Sequence, residues 1–316
     1  MKPIGGYFSL ELSQGKSYHP NAIALNTGRN CLEYVLRVRG YKKVYIPYYT
    51  CDVVLEPFHK LNVGYEYYHI NRQLELSNQI SLQDKEAILY TNYFGLKQRY
   101  VEQLAKRYGK QLIVDNTQAF YAKPVEGVDT FYTCRKFFGV SDGAYLYTDA
   151  EAEIEMEQDV SYDRMSFLLK RLDLGPEAGY ADFREQSTRL VGQPIKWMSK
   201  LTQSMMKGIK YEAIARRRRE NYNYLHKYLS SSNQMQLSLD DDAVPMVYPY
   251  YRSNDPSLKQ YLIENRIFVA TYWPIVMTWC NKGQWDYLLA SNTCFLPIDQ
   301  RYGEEDMKYI IGLICK

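Results

Sequence analysis

The segment Ile113-Val114-Asp115-Asn116-Thr117-Gln118-Ala119 decides the fold, because it places a carboxylate directly after a short apolar run. Ile113 and Val114 are typical of a buried strand, and Asp115 stands where that strand ends. A lone Asp in this position commonly caps a helix by accepting hydrogen bonds from free backbone amides. It also fits a functional site, because ligands of open α/β sheets bind at the carboxyl ends of the strands.

Segments on both sides alternate between strand-like and helix-like patterns. Strand-like runs are residues 22–25, 43–46, 64–70, 87–90 and 111–114, and helical apolar spacing recurs in residues 31–38, 53–61 and 101–108. This alternation predicts an α/β fold in which a mainly parallel sheet has helices on both faces. The residues that follow the strands are therefore the candidate ligand contacts: residues 26–29, 47–52, 92–95 and 115–118.

Beyond residue 148 the composition changes. Residues 162–170 and 197–210 have helical patterns, and a further helix reaches Tyr228. This last helix contains four consecutive arginines, Arg216, Arg217, Arg218 and Arg219, which we interpret as its solvated face. A polar loop over residues 230–242 precedes a predicted strand, helix, strand and helix at 246–251, 258–266, 267–272 and 304–314. We predict a large domain over residues 1–215 and a small C-terminal α+β domain over residues 216–316.

Composition limits the class of protein. The chain has 316 residues, of which 46% are hydrophobic and 24% charged, as in a folded protein with a large core. The net charge of +3 is spread along the chain, so nucleic acid is not an expected partner. No apolar run is long enough for a membrane helix, and the first residues lack the layout of a signal peptide. We therefore expect a cytoplasmic protein with no membrane partner.

The six cysteines and four histidines are isolated from one another along the chain. No two of them have the two-to-four-residue spacing typical of zinc ligands. The sequence therefore predicts reduced thiols and no metal site. The residues are Cys31, Cys51, Cys134, Cys280, Cys294, Cys315, His19, His59, His69 and His226.

Lys136 lies in an unusual setting for a lysine. It is part of the segment Arg135-Lys136-Phe137-Phe138-Gly139, between two apolar stretches. One interpretation is a side chain at a strand edge that extends its charged end to water. The other interpretation is a functional amine, and this segment alone does not decide between them.

Several motifs together resemble the PLP-dependent sugar aminotransferases of the DegT/StrS family, which have the aspartate aminotransferase fold, fold type I. The resemblance runs in register over most of the chain. Thr27-Gly28-Arg29-Asn30-Cys31-Leu32 stands where that family has Ser-Gly-Thr-Ala-Ala-Leu. The other matching segments are residues 44–50, 93–95, 104–109, 115–119, 267–274 and 296–306.

The resemblance implies a set of cofactor contacts. Lys136 would bond covalently to the PLP aldehyde and then carry a proton between substrate and cofactor. Asp115 would hold the pyridine nitrogen protonated, and Gln118 would lie near the ring hydroxyl. The amides of Gly28 and Arg29, after Thr27, would bind the phosphate at a helix N-terminus. Further candidate contacts are Tyr49, Cys51, Asn92, Thr130 and Thr133.

The sequence departs from the family pattern at several of these positions. Without a gap, the family lysine aligns with Arg135, so we favour a one-residue shift of the loop that brings Lys136 into its place. Cys51 replaces the aromatic residue that stacks on the PLP ring, and Tyr49 or Tyr93 could take over this role. Asn92 stands at a position where the family often has His. Arg29 replaces a Thr and could contact either the phosphate or the substrate.

By resemblance, the chain is a homodimeric aminotransferase that moves an amino group from glutamate to a nucleotide-linked keto sugar. The pathway would be polysaccharide or modified-sugar synthesis. Two alternatives stay open: a PLP enzyme of another reaction type, such as a sugar dehydratase, and a catalytically silent homologue that acts as a regulator or assembly partner. A dehydratase of this family has His in place of the lysine, and no His stands near position 136.

Overall fold

A seven-stranded mixed sheet forms the centre of the molecule. The computed structural model describes residues 4–151, 153–253, 255 and 257–315. The strands of this sheet are β1 (Ile23–Leu25), β2 (Lys43–Pro47), β3 (Gly64–Tyr68), β4 (Glu86–Thr91), β5 (Leu112–Asp115), β6 (Asp129–Thr133) and β7 (Ala144–Tyr147). Their spatial order is β1-β7-β6-β5-β4-β2-β3. Strands β3, β2, β4, β5 and β6 are parallel, as the alternating sequence pattern predicts.

The edge of the sheet formed by β1 and β7 does not follow the alternation of strands and helices that gives parallel pairing. Strand β7 runs antiparallel to both β6 and β1. Strands β6 and β7 form a hairpin around residues 134–143, and no helix joins them. Antiparallel neighbours need only a short connection, whereas parallel ones need a crossover. This hairpin loop carries Lys136.

Eleven helices are found in the described part of the chain. They are α1 (Gly28–Arg39), α2 (Leu55–Leu61), α3 (Gln98–Tyr108), α4 (Ser166–Leu174), α5 (Tyr180–Arg189), α6 (Lys200–Lys207), α7 (Tyr211–Leu229), α8 (Leu258–Glu264), α9 (Val276–Trp279), α10 (Trp285–Asn292) and α11 (Glu304–Ile314). None of the described helices is both long and apolar enough to cross a membrane. The C-terminal part also contains an antiparallel pair, β8 (Val247–Tyr251) and β9 (Thr293–Pro297).

Both faces of the large sheet are covered, and the sequence of β4 shows why. Ala87 and Leu89 pack into the core beneath α1 and α2, whereas Ile88 and Tyr90 pack into the core that contains the C-terminal part. Successive side chains of a strand point to opposite faces, so a strand that is apolar throughout needs cover on both. The result is a three-layer α/β fold with a smaller α+β part, as expected from the sequence.

Two local expectations were wrong. Arg218 is only 2% exposed, so the arginine run is not entirely a solvated face. Its guanidinium donates to the Met246 carbonyl at 3.0 Å, which satisfies the buried charge by hydrogen bonding. Residues 267–272 contain no strand beyond one isolated bridge at Ala270, and the partner of β8 is instead β9. The predicted division at residues 215 and 216 falls within the continuous helix α7 and stays a prediction.

A buried ion pair fixes the end of α1 to the sheet. Arg39 donates to both carboxylate oxygens of Asp129 at 2.8 Å, and Asp129 has no exposed surface. The Arg39→Leu substitution leaves this carboxylate buried without its main partner. We expect it to lower the free energy of unfolding by about 3 kcal/mol, measured by guanidinium denaturation followed by circular dichroism.

The matched control for Arg39 is Arg37→Leu on the same helix. Arg37 is 43% exposed in its side chain, and its partner Glu33 keeps a second partner, Lys60. We expect a loss of less than about 1 kcal/mol there. Equal losses for the two variants would contradict the importance of the Arg39–Asp129 pair.

Candidate active site

The hairpin loop between β6 and β7 presents Lys136 at the carboxyl end of β6. The loop is closed by a hydrogen bond from the Cys134 amide to the Gly143 carbonyl at 3.0 Å. Gly143 has a φ of +100°, and a Cβ there would lie 2.8 Å from Thr202 Cγ2. Only glycine fits this combination of left-handed backbone and close contact. The loop is therefore held in one conformation, with Lys136 exposed to solvent at its tip.

Lys136 and Asp115 are joined through Thr117. The Lys136 amine donates to Thr117 Oγ1 at 3.0 Å, and the Thr117 amide donates to Asp115 Oδ1 at 2.7 Å. The parallel strand β5 and the strand β6 end side by side, which brings the two functional groups to the same edge of the sheet. Thr117 belongs to the segment 113–119, but the sequence pattern did not identify it as a site residue.

The two charged groups have pKa values shifted toward their neutral forms. Burial raises the pKa of Asp115, and the positive charge of Lys136 opposes this shift. Although the Lys136 side chain is open to solvent, protein atoms surround its amine, and this partial dehydration lowers its pKa. Asp115 and Cys51 oppose that change, while Arg135 adds to it. A lowered pKa makes the neutral, nucleophilic amine more available near neutral pH.

Arg135 points away from this site. Its guanidinium donates to Ser187 on α5 at 3.2 Å, and burial, with the nearby charge of Arg29, lowers its pKa to about 10. Lys136, and not Arg135, is the residue whose charge acts on Asp115. The one-residue shift that the sequence analysis favours would give Lys136 the role of the family lysine, and it stays a prediction.

Trp273 lies over the Lys136 amine, with 5.8 Å between Nζ and the centre of the ring. Its ring also packs against Tyr49, whose centroid is 5.2 Å away. Tyr49 and Tyr93 are fully buried, and the Tyr93 hydroxyl donates to the Tyr49 carbonyl at 2.9 Å. Tyr49 therefore supports Trp273 from beneath, and neither of the two buried tyrosines presents an open face for stacking. Trp273 is a site residue that the sequence did not identify, although it belongs to the matched segment 267–274.

The N-terminus of α1 adjoins the Asp115–Thr117 turn. Thr27 caps the helix by accepting from the Asn30 amide at 3.2 Å, and Gly28 is so close that a Cβ there would touch Thr117 Cγ2 at 3.4 Å. The amides of the first turn have no partner within the helix and favour an anion. The Arg29 side chain is paired with Glu56 on α2, so its charge is already engaged.

The remaining candidate residues hold the surrounding loops. Gln118 Oε1 accepts from the Phe94 amide at 3.0 Å, and its buried Nε2 has no hydrogen-bond partner among the described residues. Asn92 accepts from the Lys97 amide at 3.1 Å. The hydroxyls of Thr130 and Thr133 donate to the carbonyls of Val128 and Gly143 at 3.2 and 3.4 Å. Cys51 precedes a 3-10 turn over Asp52–Val54 and lies close enough for Lys136 to affect its thiol.

The C-terminal part fixes the residue next to Lys136. The Arg218 guanidinium lies 4.6 Å from the centre of the Phe137 ring, and Gln300 Nε2 donates to the Phe137 carbonyl at 2.7 Å. Two elements distant in sequence thus hold the Lys136 loop from below. No sequence motif indicated this contact.

These groups fit PLP. The site offers an amine, a buried carboxylate at an adjacent strand end, and the amides of a helix N-terminus beside them. An amine suits the aldehyde, a carboxylate the pyridine nitrogen, and helix amides the phosphate. The unpartnered Gln118 Nε2 adds a polar group to the floor of this region.

Comparison with known proteins connects the fold to aminotransferases. No family model matches the chain, and no curated protein matches by sequence. Solved structures match this chain in fold over most of its length. A DegT/DnrJ/EryC1/StrS aminotransferase from Brucella abortus has a TM-score of 0.61 at 17% identity, covering 93% of this chain and 85% of its own.

Two other solved structures are similar in fold. The candidate sugar aminotransferase Spr1654 from Streptococcus pneumoniae, in its PLP form, has a TM-score of 0.58 at 14% identity, covering 93% of this chain and 86% of its own. The GDP-4-keto-6-deoxymannose-3-dehydratase ColD, with bound GDP-perosamine, has a TM-score of 0.62 at 14% identity, covering 93% and 88%. The chain therefore has the fold type I architecture of the sugar aminotransferases, as the sequence resemblance implied.

Proposed function

We propose that this chain is a PLP-dependent aminotransferase that transfers an amino group from glutamate to a nucleotide-linked keto sugar. The observation that carries the proposal is the arrangement of Lys136, Thr117 and Asp115 at adjacent strand ends of this fold. PLP, when bound, supplies an aldehyde and an electron-accepting ring. The sugar-nucleotide ligand of ColD supports the class of acceptor.

Each group of the site has a task in this proposal. Asp115 would keep a proton on the pyridine nitrogen, because a carboxylate stabilises a neighbouring positive charge. The Lys136 Nζ atom would hold the cofactor aldehyde and, when free, would accept and return the proton of the substrate carbon. The amides of Gly28 and Arg29 hold the phosphate. Trp273 limits the access of water to the Lys136 amine.

The keto sugar carries no charge at its reacting carbon, so we expect the nucleotide to supply much of the binding energy. The proposed pathway is polysaccharide or modified-sugar synthesis. The cytoplasmic location and the two-domain division expected from the sequence are part of the same proposal.

A homodimer is also part of the proposal. Apolar side chains on α4 and α5 face solvent, and Leu172 is 84% exposed. Contiguous exposed apolar surface of this kind is typical of association sites. The residues concerned are Leu169, Leu172, Leu174, Tyr180 and Phe183. Helix α5 also carries Ser187, the partner of Arg135, so this surface adjoins the Lys136 loop.

The deciding experiment is a single-turnover reaction of the PLP-loaded protein with amino donors, followed by absorbance of the bound cofactor. We expect glutamate to change the spectrum and a nucleotide-linked keto sugar to reverse the change. A protein that binds PLP but responds to no amino donor would contradict the aminotransferase proposal. If keto sugars also leave the spectrum unchanged, the silent homologue would be favoured. If keto sugars alter the spectrum although amino donors do not, another PLP reaction type would be favoured.

A further inference from the structure

Three metal-ligating side chains from two distant parts of the sequence meet outside the candidate active site. His69 follows β3, Cys280 follows α9, and Asp286 is the second residue of α10. One ligand atom from each lies within 4.8 Å of the other two. We call these three residues the His69–Cys280–Asp286 cluster.

We propose that this cluster binds a zinc ion. Nitrogen, sulfur and oxygen donors in one small site suit the borderline-soft Zn²⁺ better than Mg²⁺ or Ca²⁺, which prefer oxygen alone. Cys280 and Asp286 are 7% and 1% exposed, so they form the floor of the site. The His69 side chain is 38% exposed, which leaves a route for the ion and a position for water as fourth ligand.

The surrounding groups hold the ligands in place. His69 Nδ1 lies 2.8 Å from Asp286 Oδ2, and the Ile70 amide donates to Asp286 Oδ1 at 3.4 Å. The Tyr48 ring stacks on the His69 ring with centroids 4.5 Å apart. Orienting contacts of this kind are typical of metal sites, because a ligand that is already positioned loses little freedom on binding.

The adjacent Gln284 makes the proposal more specific. Its Nε2 donates to His69 Nε2 at 3.2 Å, which puts the ring proton on Nδ1, opposite Asp286. When zinc binds to Nδ1 of His69, the ring proton moves to Nε2. The Nε2–H group then needs a hydrogen-bond acceptor. The Gln284 amide must turn to present its oxygen, which releases the amide of the exposed Asn281 to water. The Cys280 thiol proton leaves to solvent.

Zinc at this cluster would join two parts of the molecule. His69 belongs to the edge of the large sheet, whereas Cys280 and Asp286 belong to the C-terminal helices. Tyr48 also lies next to Tyr49, which supports Trp273 in the candidate active site. We therefore expect zinc to stabilise the folded protein, because a ligand bound only by the folded state raises its stability.

The test measures metal on the full-length protein and does not depend on PLP or on activity. Protein treated with a chelator is reloaded with Zn²⁺, washed, and analysed for metal by mass spectrometry. Co²⁺ is then used as a probe, because a tetrahedral cobalt–thiolate site absorbs visible light strongly. The test variants are Cys280→Ser and His69→Gln. The matched control is Cys294→Ser, since Cys294 is equally buried at 3% exposure.

We expect one zinc ion per chain, and a visible cobalt spectrum, in wild type and in Cys294→Ser. Both signals should be lost in Cys280→Ser and in His69→Gln. Because His69 is partly exposed, His69→Gln is the variant that we expect to fold more readily. Gln284→Glu supplies an acceptor for both neighbours and should retain zinc about 10–100-fold more tightly. No metal in wild type, or equal metal in wild type and His69→Gln, would overturn the proposal. Because the readout is metal content, its failure is distinguishable from failure of the aminotransferase proposal.

Discussion

Replacing Lys136 with Ala is expected to abolish covalent capture of PLP. The Lys136 amine donates a hydrogen bond to Thr117, whose amide donates to Asp115. We therefore expect no other amine to react with PLP at this position. The measurement is reduction with borohydride after incubation with PLP, followed by peptide mass mapping. Wild type should carry the pyridoxyl mass on the peptide that contains Lys136, and the variant should carry none at this position.

Two further variants separate the role of Lys136 from its charge and from its neighbour. Lys136→Arg keeps a positive charge near Asp115 but removes the primary amine, so capture should also be lost. Arg135→Gln should retain capture, because Arg135 is directed to Ser187 on α5. A wild type that captures no PLP, or capture that persists in Lys136→Ala, would show that the loop shift is wrong.

The Asp115→Asn substitution is expected to slow the glutamate half-reaction by about 10²–10³-fold, the usual effect of removing one preorganised electrostatic contact. Asparagine has nearly the same shape as aspartate, so the loss reports the charge at the end of β5. The measurement is the single-turnover rate with PLP-loaded protein. Asp163→Asn, at an exposed carboxylate, serves as the control and should not change the rate.

The Asp115→Asn substitution is also expected to shift the pH dependence of PLP capture to lower pH. Capture needs the neutral amine, and burial already lowers the pKa of Lys136. The Asp115 carboxylate opposes this shift because it stabilises the ammonium form. Without that carboxylate the pKa falls further, so capture should extend to lower pH in Asp115→Asn. A midpoint that moves to higher pH would contradict the proximity of the two groups.

The parallel part of the sheet could be predicted because its strands carry their own signal. Residues 43–46, 87–90 and 111–114 are short apolar runs between helical patterns, and each lies in a strand of the large sheet. The order of residues along the chain also located Asp115 at a strand end. Strands β6 and β7 were not assigned as strands from the sequence, because a hairpin edge gives no alternation with helices.

The site was predictable only in part. Lys136 stood out because a lysine between aromatic residues and glycine is unusual, and its position near Asp115 agrees with that interpretation. The surroundings of Tyr49 and Arg29 could not be predicted from the sequence. Tyr49 is fully buried beneath Trp273, and Arg29 is paired with Glu56 from another helix. Burial and pairing depend on what lies opposite a side chain in space.

The sequence by itself determined the class of fold and the position of Asp115 at a strand end, and it marked Lys136 as an unusual lysine whose role stays a prediction. These follow from local order, since apolar periodicity selects strands and helices and a strand end directs its next residues to one edge of the sheet. Only the tertiary structure decided that Arg218 is buried against Phe137 and that His69, Cys280 and Asp286 meet. The contact of Arg218 with Phe137, and those of His69 with Cys280 and Asp286, join segments that are distant along the chain. They arise because chain folding brings together residues that no short-range pattern connects.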